Sequence, residues 1–279
     1  MYKRIIINLL NLFGIAIAKV DEGRSFLISK KSTIEKYKLH FKNLLSKSYN
    51  LTNDEVIKIF VTKDNPIIFD VGANVGTSID RFKKIFPSPE FYCFEPGNNE
   101  FEILKKNYNY TNIKLFNFAL GSKNESQKFY INPISLLSSF NSINANSKVL
   151  KTMQKELFVN VSQTIKTTEV QVKTLDSFLE DQDLKSIDIL KIDVQNYEDK
   201  VLVGAKKSLL INKFKVIELE LNVGTTYKKN LNFYEVDKIL IENNYRLVAI
   251  DNFGNLISNP DLQFNLIYAD KENIKKILN

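Results

Sequence analysis

The sequence predicts an α/β protein built on a doubly wound, mostly parallel sheet, and three observations carry that expectation. The stretch Pro66–Gly76, PIIFDVGANVG, reads as a buried strand ending in a glycine turn. A helical pattern follows at once in Ile79, Phe82, Ile85 and Phe86. From Pro66 onward strands and helices alternate, as βαβ units do. The last two strands, Tyr245–Ile250 and Gln263–Ala269, are joined through the turn DNFGN, a hairpin-type connection that sets the final strand antiparallel.

The chain has 279 residues, 44% hydrophobic and 25% charged, which suits one large α/β domain with additions. Its formal charge of +7 is spread over lysine pairs such as Lys83-Lys84, Lys105-Lys106 and Lys206-Lys207. Several of these fall on the polar faces of predicted helices, so we read solvated surfaces and no nucleic-acid partner. Cys93 and His40 are the single cysteine and histidine. An intramolecular disulfide and a Cys/His zinc site are thereby excluded, and no metal is expected. His40 lies in the N-terminal arm, so a histidine base is not expected in the domain that carries the motifs. We expect a cytoplasmic chain.

Residues 1–65 read as an N-terminal helical arm. Ile5, Leu9, Leu12, Phe13 and Ala16 share one helical face within Ile5–Ala18, but Asn8 and Asn11 interrupt a run already too short to span a bilayer. An amphipathic helix packed on the domain is the preferred reading; peripheral membrane contact through residues 1–18 is the alternative. Ile34 to Leu45 suggests one further helix. Asn53–Phe60 suggests another, opening at Thr52 or Asn53 with Asp54 and Glu55 in its first turn.

Residues 66–279 form the main domain. Strand one ends at Asp70, strand two is Glu90–Glu95, and a helix runs from Asn98 to Asn107. Strand three is Ile113–Leu120, and a further strand is Gln127–Ile131. Residues 132–167 are rich in Ser and Asn and lack strong periodicity, which predicts a lid, a substrate loop or disorder. Glu169–Leu175 alternates as a strand, and Asp176 is the expected cap of a short helix. Strand four is Ile187–Val194, followed by one helix from Tyr197 to Leu210. Strand five is Lys215–Leu221, and Asn232 with Glu235 makes a capping box for the helix through Glu242.

Open parallel sheets bind ligands at the carboxyl ends of their strands. Those ends gather Asp70, Gly72, Ala73, Asn74 and Gly76, then Glu95 and Pro96, then Asn117 to Gly121 (with Ala119), then Asp193 to Glu198, then Glu220 and Asn222. An acid at the end of strand two suits two ribose hydroxyls, in a dinucleotide or in an adenosyl ligand. The glycine spacing separates the two. A dinucleotide site uses Gly-x-Gly-x-x-Gly against a pyrophosphate, whereas this chain has Asp-x-Gly-x-x-x-Gly. An acid before the first glycine repels a pyrophosphate and attracts a cationic ligand such as S-adenosyl-L-methionine. A nicotinamide oxidoreductase and a non-catalytic adenosyl-binding module stay open as alternatives.

The segments DVGANVG, FEP, NFALG, TLDSF, KIDVQNYE with VLVGA behind it, and VIELEL occur in this order between Pro66 and Leu221. Together they resemble the FkbM family of S-adenosylmethionine-dependent methyltransferases. The resemblance implies the class I methyltransferase fold, a Rossmann-like sheet of seven strands with the last antiparallel. It also implies O-methyl transfer to a hydroxyl of a sugar, glycan or related metabolite, with S-adenosyl-L-methionine as cofactor. On that pattern Asp70, Gly72, Ala73, Asn74 and Gly76 form the methionine-side loop and Glu95, followed by Pro96, holds the ribose. Asn117 and Ala119 lie near the adenine, and Asp193 and Glu198 form the floor where donor and acceptor meet. Asn196 departs from the family pattern by standing where glycine is usual. Asp193 is the first choice for a general base and Glu220 the second, while Ser138 and Ser139 are candidates to line the acceptor pocket.

Overall fold

The computed structural model describes residues 17–20, 24–27, 51–147, 151, 165–222, 224–251 and 263–278. The chain divides into two compact units, Met1–Asn50 and Leu51–Asn279. In the first unit, β1 (Ile17–Val20) and β2 (Arg24–Leu27) pair antiparallel, with Ile17 opposite Leu27. The expected helix over Ile5–Ala18 therefore cannot include its last two residues; the rest of it, and the expected Ile34–Leu45 helix with His40, lie outside the described residues.

The second unit begins with α1 (Asn53–Phe60), capped by Thr52, whose hydroxyl accepts from the Glu55 amide while the Glu55 carboxylate accepts from the Thr52 amide. Val56, Ile57 and Val61 pack into the same core layer as the sheet residues Ile68, Phe91, Val216 and Ile267. This helix thus belongs to the sheet domain, and the division falls at Asn50/Leu51 instead of after residue 65.

Seven strands form the main sheet in the order β11-β12-β10-β9-β3-β4-β5. They are β3 (Ile67–Val71), β4 (Glu90–Phe94), β5 (Ile113–Phe116), β9 (Ile187–Ile192), β10 (Phe214–Asn222), β11 (Tyr245–Ile250) and β12 (Gln263–Asp270). All neighbours are parallel except β12, which is antiparallel to both β10 and β11. This is the seven-stranded class I arrangement that the resemblance implied.

Alternation along β3 shows how both faces are covered. Ile68 joins one core layer with Ile79 and Phe82 of α2 (Thr77–Ile85) and Leu104 of α3 (Asn98–Asn107). Phe69 joins the opposite layer with Phe178 of α4 (Leu175–Glu180), Val201 of α5 (Glu198–Val203), Leu209 of α6 (Lys206–Leu210) and Val236 of α7 (Phe233–Glu242). Strands buried on both faces read as nearly continuous apolar runs. A final helix, α8 (Lys271–Leu278), follows β12. Among the described residues no helix is long and apolar enough to cross a membrane.

Several expected boundaries move. Strand three breaks after Phe116: the Asn117 side-chain Nδ2 donates to the Glu95 and Pro96 carbonyls, and Ala119–Leu120 becomes β6 of a separate sheet. That sheet, ordered β6-β8-β7, also contains β7 (Glu125–Ile131) and β8 (Lys166–Lys173). The expected Glu169–Leu175 strand therefore starts and ends earlier, and Thr174, not Asp176, caps α4 by accepting from the Ser177 amide. The expected helix from Tyr197 to Leu210 is two helices parted at Gly204. A β-carbon there would stand 2.0 Å from the Gly121 carbonyl oxygen, so helix and β6 end meet backbone to backbone.

Asp176 caps the second of those helices instead, accepting from the amides of Lys207 at 2.8 Å and Ser208 at 2.9 Å and from the Ser208 hydroxyl at 2.7 Å. Removing these acceptors leaves two helix-end amides unpaired. Asp176→Ala is expected to lower the unfolding free energy by about 1 to 2 kcal/mol in urea titration, with Asp176→Asn recovering part of the loss.

Candidate functional site

A cavity of about 250 Å³ opens at the carboxyl ends of β3, β4, β9 and β10. Of the residues expected from the sequence, Gly72, Asn74, Glu95, Pro96, Ala119, Asp193 and Glu220 line it. Asp70, Ala73, Gly76, Asn117 and Glu198 do not; they surround it and hold its walls.

The wall at β3 is the glycine turn. Gly72 and Ala73 donate their amides to the Phe94 carbonyl at 3.0 and 3.1 Å, bending the chain from β3 across the end of β4. Gly72 has φ +85°, and a β-carbon there would meet the Asp193 carbonyl oxygen at 2.0 Å. The turn therefore packs backbone to backbone on the end of β9. Asn74 follows in the left-handed region with φ 48°, and Gly76 is the N-cap of α2.

Asp70 lies behind this turn, fully buried. Its carboxylate accepts from the Ser78 hydroxyl at 2.6 Å and is ion-paired with the Lys191 ammonium at 3.3 Å. Its charge is thus engaged inside the fold and does not face the cavity. The same ammonium lies 3.3 Å from Asp193, whose side chain is 29% exposed at the end of β9. Burial alone would lower the Lys191 pKa, but Asp70, Asp193, Glu218 and Glu220 together outweigh it and hold the ammonium charged.

Glu95, at the end of β4, is buried and accepts from the Gly97 amide at 2.7 Å and the Asn74 amide at 2.9 Å. Burial pushes its carboxyl up to about 7, against the pull of those two amides. Each oxygen accepts one N–H and keeps capacity for a second donor. Glu198 sits beneath the β9 turn, accepting from the Val194 amide at 3.0 Å, and burial raises it to about 8.

The turn after β9 gives Gln195 a role that no sequence pattern assigns to it. Gln195 and Asn196 both adopt left-handed backbone, with φ 57° and 68°, so the glycine replaced by Asn196 is not needed for the turn. The Gln195 amide nitrogen donates to Asp193 at 3.1 Å and to Glu220 at 3.2 Å. Burial first, and the Asp193 charge second, push the Glu220 carboxyl up to about 7.

The first part of the Ser- and Asn-rich stretch closes the far side. A 3₁₀ turn, Ser135–Leu137, and Ser138 and Phe140 after it line the cavity with Phe129 of β7. Ser139 is buried instead and donates to the Gln195 carbonyl at 2.6 Å, while the Asn141 amide donates to the Asn196 carbonyl at 2.6 Å. The visible signal for this wall was Phe140, an aromatic residue set in a polar run. Its ring packs on Tyr197 at 4.4 Å and on Phe129 at 5.1 Å between centroids.

Among the described residues that line the cavity, the charged ones are all carboxylates: Glu95, Glu100, Asp193 and Glu220. Such a lining suits a cationic or neutral ligand and opposes a pyrophosphate. Gly72→Ala is expected to destabilise the fold by more than about 2 kcal/mol in chemical denaturation, because neither its backbone angle nor the facing carbonyl tolerates a β-carbon.

Comparison with known families matches residues 70–247 to the methyltransferase FkbM domain. A 2-O-methyltransferase, NoeI of Sinorhizobium fredii (strain NBRC 101917 / NGR234), is 25% identical over 154 residues, covering 54% of this chain and 62% of that relative. This chain therefore aligns with less than two thirds of the relative's length. Among solved structures, fibrillarin of Aeropyrum pernix with bound S-adenosyl-L-methionine is 11% identical at a TM-score of 0.42, covering 92% of this chain and 84% of that one. A Listeria monocytogenes protein described as a putative S-adenosylmethionine-dependent methyltransferase is 6% identical at a TM-score of 0.43, covering 86% and 100%.

Proposed function

The chain belongs to the FkbM family of S-adenosylmethionine-dependent methyltransferases, and from that premise we propose that it methylates a hydroxyl oxygen of a sugar, glycan or related metabolite. The observation that carries this reading is one cavity in which the glycine turn of β3 and the carboxylate pair Asp193 and Glu220 face a common space. The all-carboxylate charged lining fits a ligand bearing an ammonium and a sulfonium.

Gly72 and Asn74 would hold the methionine side of the cofactor, with Ala73 fixing the turn between them, Glu95 and Pro96 at the ribose and Ala119 beside the adenosyl group. Asp70, Gly76, Asn117 and Glu198 would act through these residues, by fixing the loops that carry them. When bound, S-adenosylmethionine supplies a methyl group on a positively charged sulfur, open to in-line displacement by an oxygen nucleophile. The chain's task is then to align the acceptor and take its proton. Asp193 and Glu220 supply the carboxylate oxygens to which that proton can pass.

The acceptor side is formed by residues 135–140, with Phe129 and Phe140 offering aromatic faces and Ser138, Gln195 and Gln263 offering polar groups. An apolar wall with a few polar groups suits a sugar ring. That the Sinorhizobium fredii relative is a 2-O-methyltransferase supports an oxygen acceptor. We infer a small-molecule or glycan acceptor and no nucleic acid, in the cytoplasm.

Calorimetry with S-adenosylmethionine and S-adenosylhomocysteine tests the cofactor half. Micromolar-range binding is expected, weakened at least about tenfold by Glu95→Ala; binding of NAD(H) in place of both would overturn the reading. Methyl-label transfer into a panel of oligosaccharides, with product mass read out, tests the acceptor half. Because Glu220 must be ionised to take a proton and is pushed up to about 7, the rate is expected to rise as pH climbs through about 7. Glu220→Gln is expected to lower it by about 10² or more and to remove that rise.

A further inference from the structure

We propose that Gln195 is a positioning residue that ties the Asp193–Glu220 pair to the loop over the acceptor side, through its own amide and the Tyr227 hydroxyl. The inference deepens the methyl-transfer reading and rests on it for what the pair does; the geometry stands apart from it.

A carboxylate accepts hydrogen bonds and a primary amide can do either, so two carboxylates facing one glutamine fix which end of it they meet. The nitrogen must point at Asp193 and Glu220, and it lies 3.1 and 3.2 Å from them. The amide oxygen is then turned to the other side, where the Tyr227 hydroxyl stands 3.1 Å away. That hydroxyl is also 3.2 Å from the Leu137 carbonyl, in the turn that lines the cavity. It has one proton for two acceptors, one on the loop and one on Gln195. The Gln195 backbone carbonyl takes a further bond from Ser139 of the same loop.

Movement of the loop thus changes which acceptor Tyr227 serves. When its proton goes to Gln195, the amide is polarised and its N–H groups become better donors to the carboxylates. A better donor favours their ionised forms. The Leu137 carbonyl of the loop thus competes with Gln195 for one proton, which links the loop to the charge state of Glu220.

Glu220 is the group to watch. It faces Asp193 and Lys191 from β9, Glu218 from its own strand, Glu198 from α5, and the Gln195 amide from the turn. Of these, Gln195 is the one that both touches Glu220 and reaches the loop.

The test is a pH titration of glutamate side-chain carboxyls by carbon NMR on the intact protein without cofactor or acceptor. The Glu220 signal is identified by its loss in Glu220→Gln. In Gln195→Leu, which removes the amide at nearly constant size, the Glu220 midpoint is expected to rise by about one pH unit. Gln195→Asn suits the left-handed backbone and shortens the reach, so it secures the result should the leucine variant fold poorly; it is expected to raise the midpoint too. Tyr227→Phe is expected to raise it by less, and Glu95 to keep its midpoint in all three. A Glu220 midpoint unmoved or lowered in Gln195→Leu and Gln195→Asn overturns the proposal, as does an unmoved midpoint in Tyr227→Phe. Calorimetry with S-adenosylhomocysteine on the wild-type protein stands alongside: absent binding would count against the methyl-transfer reading while leaving the titration result intact.

Discussion

The Lys191 ammonium lies between two carboxylates, Asp70 and Asp193, at 3.3 Å from each. Asp70 and Lys191 are register partners on the central parallel strands β3 and β9. The pair therefore joins the strands whose ends carry the glycine turn and the β9 turn. A buried cation with one partner removed leaves the remaining charge uncompensated in the interior, which is far more costly than the pair itself is stabilising. Two features of the cavity floor rest on this arrangement: Asp70 anchors Ser78 at the start of α2, and Asp193 is left partly exposed to face the cavity.

From that floor the acids sort by what surrounds them. Glu218 is buried against Arg81, which also reaches Asp54 and so binds α1 and α2 to β10. Glu95 and Glu198 give their carboxylates to backbone amides and shape turns. Of the three glutamates that burial pushes up to about 7 or 8, Glu220 meets another acidic side chain through a shared donor, Gln195. Similar residue types at neighbouring strand ends thus perform different physical tasks, set by whether an oxygen meets an amide, a cation or a second acid. A carboxyl near neutrality beside a partly exposed aspartate is poised to exchange a proton.

Much of the sheet was legible because parallel strands buried on both faces write their apolar runs into the sequence, as in IIFDV and IDILKI. The antiparallel end was legible from its turn. What the sequence hid were features set by contacts far apart in the chain. Gly204 reads as an ordinary helix residue until its backbone meets Gly121. Asp176 reads as the cap of its own helix, but three donors from residues 207 and 208 claim its carboxylate. At the site, the glycine turn, Glu95 and Asp193 could be collected from strand ends alone. Lys191 reads as one lysine in an apolar strand, and Gln195 stands inside the KIDVQNYE segment without a role that the segment alone assigns. The loop at 135–140 was visible as an irregular stretch, not as a wall, since its partners Gln195, Asn196 and Tyr227 lie tens of residues away.

The most direct measurement of the central claim is a crystal structure of the protein grown with S-adenosylhomocysteine. The ribose hydroxyls are expected at the Glu95 carboxylate, the amino-acid end against the Gly72–Asn74 turn, and the sulfur directed toward Asp193 and Glu220. An adenosyl group seated away from the strand ends, or a sulfur directed away from that pair, would contradict the claim.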